Sequence, residues 1–139
     1  MSFKSFFSRN KIKHPNIKVV VSPDFINEET GKPEEWEIRR LDATEAEELQ
    51  KSCMKQVKSG RTTTTELDTQ AFAAKLTTAC IVYPNLNDAE LQNEWNVMGA
   101  ENLLKKMLSF GEYATLTAKV TEHNGFNVTI NDLVDEAKN

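Results

Sequence analysis

The chain has 139 residues, 39% of them apolar and 27% charged, with five Gly, four Pro and a formal net charge of −4. That is the make-up of one ordinary globular domain, and it excludes a fibrous repeat or a disordered polar tract. The longest apolar stretches, such as Ala79–Tyr83, fall far short of the ~20 residues of a membrane span, and the acidic balance argues against a general nucleic-acid binder, whose footprint is a basic face.

Residues 1–16 carry Lys4, Arg9, Lys11 and Lys13 and no acid, while Phe3, Phe6 and Phe7 fall at i, i+3, i+4. This spacing predicts a short helix with three rings on one face, stopped by Pro15, and the segment reads either as a terminal piece folded onto its own domain or as a flexible basic-aromatic arm for a partner or a membrane surface. Nothing after Met1-Ser2-Phe3-Lys4 resembles the apolar core of a secretory signal. Lys18–Ser22 is rich in β-branched residues and Glu35–Leu41 alternates, so both are predicted strands. On the second, Trp36, Ile38 and Arg40 share one face and Glu37, Arg39 and Leu41 the other. Gly31-Lys32-Pro33 supplies turn chemistry between them, which predicts an antiparallel β-hairpin over 17–41.

From Asp42 the period becomes helical. Thr44-Glu45-Ala46-Glu47 has the spacing of a capping box, and Ala46, Leu49, Cys53 and Val57 form an apolar face that predicts a helix running to Gly60. Thr62-Thr63-Thr64-Thr65 is predicted as a polar loop. A second helix begins near Asp68 and carries Phe72, Leu76, Ala79, Cys80 and Tyr83 until Pro84. Asn87-Asp88-Ala89-Glu90 caps a third, with Leu91, Trp95 and Met98 at helical spacing. Gly99 separates a fourth, striped by Leu103, Leu104, Met107 and Leu108 and ending near Gly111. A fifth bears Tyr113, Leu116 and Val120 up to Asn124-Gly125, and Leu133–Ala137 forms a last short turn. The expected fold is α+β and mostly α-helical: an N-terminal β-hairpin followed by a compact cluster of about five short helices over 42–137, all in one domain of residues 1–139.

No catalytic signature is present: the chain has no GxSxG, HExxH, GxGxxG or phosphate loop ending in GK[ST]. Cys53 and Cys80 lie on apolar helical faces with no adjacent His, so they are expected to be reduced packing residues. These two thiols, His14 and His123 lack the paired short spacing of a zinc site, and no catalytic, cofactor or metal residue is assigned. Carboxylate pairs such as Glu34-Glu35 and Glu47-Glu48 read as solvated faces. Arg39 and Arg40, adjacent on a strand, point to opposite faces and cannot form one anion-gripping fork. Trp36 and Trp95 are in register with apolar neighbours and read as core anchors.

Several phrases resemble the XkdN-like tail assembly chaperones of long-tailed phages and phage-like elements. They are Phe6-Phe7, Val20-Val21-Ser22 with Phe25 downstream, and Gly31-Lys32-Pro33 leading into Trp36-Glu37-Ile38-Arg39. Further along come the stretch from Ala79 to Leu91, then Gly99-Ala100-Glu101 with Leu103-Leu104, and Met107-Leu108 through Gly111-Glu112-Tyr113 to Asn124-Gly125-Phe126. The chain departs from that pattern at Ser109-Phe110, where Pro would precede the Gly, and at Asn96-Val97-Met98-Gly99, where a Tyr-Gly-Val sequence would stand.

The resemblance implies a non-catalytic protein of the host bacterial cytoplasm that is absent from the finished virion. It would bind the long, largely helical tape measure protein and keep it soluble while tail tube subunits assemble. The tail tube protein and a longer, frameshifted form of the chain are further implied partners, and Lys138-Asn139 are compatible with a slippery AAAAAAC heptamer. Neither nucleic acid nor membrane is an expected partner, and no cofactor is. The candidate partner contacts are Phe3, Phe6 and Phe7 on the arm with Phe25 and Ile26 in the hairpin loop. The competing readings are a structural tail subunit, incorporated as tube or completion protein, and a small enzyme using Cys53 or Cys80.

Overall fold

Strands Ile17–Val20 (β1) and Glu35–Ile38 (β2) pair antiparallel, with Val19 opposite Trp36, as the alternation over 17–41 predicts. The computed structural model describes residues 2–125; the short turn expected at Leu133–Ala137 lies outside them. β1 stops two residues before the predicted Ser22 because the next turn begins there: the buried Ser22 Oγ accepts the Asp24 N–H at 3.1 Å, just past Pro23.

The hairpin is part of a larger sheet. Ile81–Tyr83 (β5) lies antiparallel to β2, giving the order β1-β2-β5, so the predicted helical run to Tyr83 ends at Cys80 instead. The helix before it, Thr69–Cys80 (α2), starts where the sequence indicates, with Asp68 Oδ1 accepting the Ala71 N–H at 3.1 Å. Its successor β5 takes the β-branched Ile81 and Val82 because they complete a ladder beside β2, and that tertiary gain outweighs a helical period.

The first helix, Ala43–Ser52 (α1), is capped by Asp42 rather than by the predicted Thr44. Both residues have a Glu three positions on, but Glu45 also pairs with Arg39 at 3.0 Å, so capping by Asp42 engages one carboxylate in two roles. The largest correction follows it. The predicted extension of α1 to Gly60 and the predicted loop at Thr62–Thr65 are strands Met54–Ser59 (β3) and Thr62–Leu67 (β4), a regular antiparallel hairpin. Gly60 opens its two-residue turn at φ +64°, the geometry a type II′ turn takes at its first central position. Val57 and four consecutive Thr prefer this extended arrangement to helix.

Helices Ala89–Glu94 (α3), Ala100–Met107 (α4) and Phe110–His123 (α5) complete an α+β fold of five α-helices and two small sheets among the described residues. α3 stops at Glu94, so Met98 is not on it but in the following loop, 86% exposed. α4 ends at Met107 rather than near Gly111, because Ser109 and Glu112 form a capping box that draws Gly111 into the first turn of α5. One core cluster joins the inner face of the β1-β2-β5 sheet, through Trp36 and Ile38, to Leu76 and Cys80 of α2, Leu103 and Leu104 of α4 and Leu116 and Val120 of α5. Across the α2–α5 seam the buried Thr77 hydroxyl donates to Thr117 Oγ1 at 3.4 Å.

The end of α5 is tied to the sheet by Asn124. Its Oδ1 accepts the Leu41 N–H at 2.8 Å, while its Nδ2 donates to Val120 O at 2.9 Å and to Cys80 Sγ at 3.5 Å. Alongside, Arg40 Nε donates to the His123 carbonyl at 2.7 Å. Asn124→Ala leaves the Leu41 donor without its partner and is expected to cost roughly 1–3 kcal/mol in urea unfolding with an unchanged m-value. Gly60→Ala meets no neighbouring atom within 4 Å, so its cost, about 1 kcal/mol, is backbone strain at positive φ alone and is measured the same way.

Candidate functional site

The N-terminal arm does not form the single helix its Phe spacing predicts. It makes two 3₁₀ turns, Lys4–Phe6 and Ser8–Asn10, separated by an extended Phe7. The turns are held locally: Phe6 N–H bonds Phe3 O at 2.9 Å, Asn10 N–H bonds Phe7 O at 2.8 Å, and the Asn10 side-chain amide donates to Lys4 O. With no acid nearby and a short, Pro-terminated segment, an α-helical nucleus has too few residues to propagate. The rings therefore fan out over the arm. Phe3 and Phe6 are 75% and 83% exposed, and Ile12 is 78% exposed. Phe7 is less so and carries the Arg9 guanidinium 4.9 Å above its ring.

Two ion pairs occur among the described residues, Arg39–Glu45 and Lys51–Glu47, and neither uses a base of the arm. Lys4, Lys11 and Lys13 thus stand as exposed cations beside bare aromatic and aliphatic surface. The arm runs back to the body along a groove of about 500 Å³ between Lys11–His14 and Arg40–Asp42.

The two other candidate contacts sit on a separate element. Phe25 is half-buried against the core and tilts onto Trp95, ring centroids 6.2 Å apart at 59°. Ile26, half exposed, pairs with Pro33 in an isolated bridge. Their loop is knitted by Asn27, whose Oδ1 accepts the Glu29 and Thr30 N–H groups and whose Nδ2 donates to Glu34 at 2.6 Å. Phe25 is thereby an anchor that holds up the loop, while Ile26 is presented at its surface. Beneath the loop, Lys18, Glu35, Glu37 and Tyr83 on the outer face of the sheet line an open cleft of about 550 Å³.

Apolar surface that the spacing placed elsewhere also lies open. Met98, which helical spacing predicts on a stripe with Leu91 and Trp95, is bare in its loop, and Phe110, 90% exposed, stands at the first position of α5. The sequence signal for the position of Phe110 is the Ser109…Glu112 capping box, which sets it at the start of the helix.

The shifted titrations have structural causes. Burial pushes the Cys80 thiol up, with a smaller opposing pull from the Asn124 hydrogen bond, and burial followed by the Glu101 charge raises Tyr113. A hydrogen bond from Ser22, then the Ser109 backbone, lowers the Glu112 carboxyl at its cap. His123 is lowered, first by burial and then by the Arg40 and His14 charges. Among the described residues its Nε2 is buried without a hydrogen-bond partner. Among the described residues no group of three His, Cys, Asp or Glu side chains could hold a metal ion, and no helix is long and apolar enough to cross a membrane.

The comparisons with known proteins agree with one another. The family model for the phage XkdN-like tail assembly chaperone protein matches residues 3–138. The chain is 32% identical to the phage-like element PBSX protein XkdN of Bacillus subtilis strain 168, covering 97% of this chain and 93% of that one. It is 33% identical to the YqbN protein of the same organism, over 97% and 92% of the two chains. The crystal structure of YqbN superposes with a TM-score of 0.75 at 25% identity, covering 90% of this chain and 97% of that one.

The lowered His123 sets the direction of a pH effect. The folded state holds its proton less tightly than the unfolded chain, so this contribution to stability is complete above the ordinary histidine value of about 6.5 and is lost as pH falls below it. Urea midpoints are expected to drop between pH 7 and pH 5.5 or so, and His123→Gln to flatten that drop.

Proposed function

We propose, for a chain that belongs to the phage XkdN-like tail assembly chaperone family, that it holds the tape measure protein soluble in the host cytoplasm until the tail tube forms around it, without catalysing a reaction and without entering the virion. The observation that carries this reading is the arm. Its exposed Phe3 and Phe6 offer apolar contact, and its exposed Lys4, Lys11 and Lys13, in no ion pair among the described residues, offer electrostatic contact. A long amphipathic helix free in solution exposes an apolar stripe flanked by charge, and it aggregates unless that stripe is covered. Rings seated on the stripe, with lysines reaching the acidic flank, cover it in the helix-in-groove manner, and the arm adapts to successive turns because it is not fixed to the core.

A holdase needs a surface rather than a reaction centre. The outward placement of the apolar arm fits that need, as does the inward placement of Cys80, whose thiol burial pushes up. The tail tube protein and a frameshifted longer form of the chain would meet the same client in the course of assembly.

Co-expression with the tape measure protein tests the reading. The client is expected in the soluble fraction and in affinity eluates of this chain. Replacing Phe3, Phe6 and Phe7 together by Ser is expected to weaken capture about tenfold or more while moving the Tm by no more than about 2 °C. A client that stays insoluble beside the intact chain, or this chain recovered at subunit stoichiometry in purified particles, overturns it.

A further inference from the structure

The β3–β4 hairpin projects from the α1–α2 connection with ten of its twelve strand residues exposed; only Val57 and Leu67 are half-buried. A lone two-stranded ribbon is marginal in water, and one packed on neither face has little of its own to hold it. Its six residue pairs run from Met54–Leu67 to Ser59–Thr62 with no bulge, so among the described residues both outer edges present regular rows of unpaired backbone groups.

The two edges differ in chemistry. Soluble proteins guard open edges with lysine, proline or bulges. β3 has that protection in Lys55 and Lys58, whereas β4 offers Thr62-Thr63-Thr64-Thr65, uncharged, β-branched and free of proline. The bare edge is therefore one-sided, and it is the β4 edge.

We infer that the β4 edge is a homodimer interface, on which a second copy of this chain adds its own β4 antiparallel about a twofold axis at Thr64. The choice of occupant follows from charge and closure. Pairing β3 with β3 would bring four lysines to one seam. Pairing β4 with a neighbour's β3 would be head-to-tail and would propagate without closing. Pairing β4 with β4 closes on itself and gives a four-stranded sheet with the lysine-bearing β3 strands outermost.

In that register Thr63 stands opposite the second copy's Thr65, Thr62 opposite its Glu66, and Arg61 opposite its Leu67, so no like charges meet. Val57, already opposite Thr64, extends through the two Thr64 side chains to the second copy's Val57 as one continuous β-branched row. Cross-strand pairs of this kind are the units that stabilise a sheet.

Sedimentation of the purified full chain tests the interface without any client, so its outcome is separate from that of the holdase reading. The wild type is expected to sediment as a dimer at about 100 μM. Thr64→Lys places two ammonium groups together on the axis and is expected to raise the dimer Kd at least about tenfold, with an unchanged Tm for the monomer fold. Thr64→Glu alone is expected to do the same, and an equimolar mixture of T64K and T64E to dimerise again, because the axis then pairs opposite charges. A monomeric wild type, a T64K protein that still dimerises, or a mixture that stays monomeric each overturns the proposal.

Discussion

The described fold hangs on one junction, the passage of α2 directly into β5 at Cys80–Ile81. With no loop between helix and strand, the sheet cannot shift against the helical layer without breaking one or the other. The surrounding bonds converge there. The Arg39 N–H bonds the Cys80 carbonyl at 2.9 Å, Arg39 Nε bonds the Ala79 carbonyl at 3.1 Å, and Asn124 reaches Cys80 Sγ. Arg39 then passes the constraint on to α1 through Glu45, and Asn124 passes it to the end of α5. The fully buried Cys80 side chain and the adjoining Ile38 and Val120 fill the space these bonds enclose. Four elements are thus located by a single turn of chain.

What the sequence reveals and what it conceals divide along this same line. α2, α5 and the β1–β2 pair each carry a local signature that tertiary structure has no reason to overrule. Asp68 precedes an apolar stripe, Ser109 stands three residues before Glu112, and Trp36 alternates with charged neighbours. β5 is different. Ile81-Val82-Tyr83 continues the apolar spacing of α2, and only the presence of β2 alongside makes it a strand. Thr44 and Asp42 satisfy one capping rule equally, and the tie is broken by an arginine three residues before Asp42, through a contact no spacing displays.

The β3–β4 hairpin is masked in the sequence, for a physical reason. Leu49, Cys53 and Val57 keep a helical period across the true helix end, and Met54–Ser59, with Met54 and Val57 three apart, has no apolar alternation to mark the change. The local signal that remains is Gly60-Arg61 directly ahead of the β-branched run Thr62–Thr65, the place of a hairpin's two-residue turn. The candidate contacts show the complementary limit. Spacing could bring Phe3, Phe6 and Phe7 to one segment, and they are indeed on one arm, but whether a ring such as Phe25 faces solvent or Trp95 depends on packing across 70 residues of sequence.

The arrangement separates rigidity from reach. The core fixes the sheet and helices, while the arm and the β3–β4 hairpin, the two elements with the least burial, leave it at different points of the chain. A twofold pair joined at the hairpins would carry two arms at a set separation, whereas a monomer carries one. For a client with many similar helical turns, the second arm's encounter becomes intramolecular once the first is seated. The effective concentration of that encounter reaches the millimolar range when the span matches the reach. Weak individual contacts then suffice for retention and still release one at a time, which would suit the proposed cover if it is surrendered progressively to a polymerising tube. Strong, preformed complementarity at a single pocket would hold the client as tightly but would oppose that surrender, since the whole contact would have to break at once. Under the proposed function and pairing, a bare arm on a dimer would serve temporary cover better than a deep groove, and the clefts of this surface are open ones.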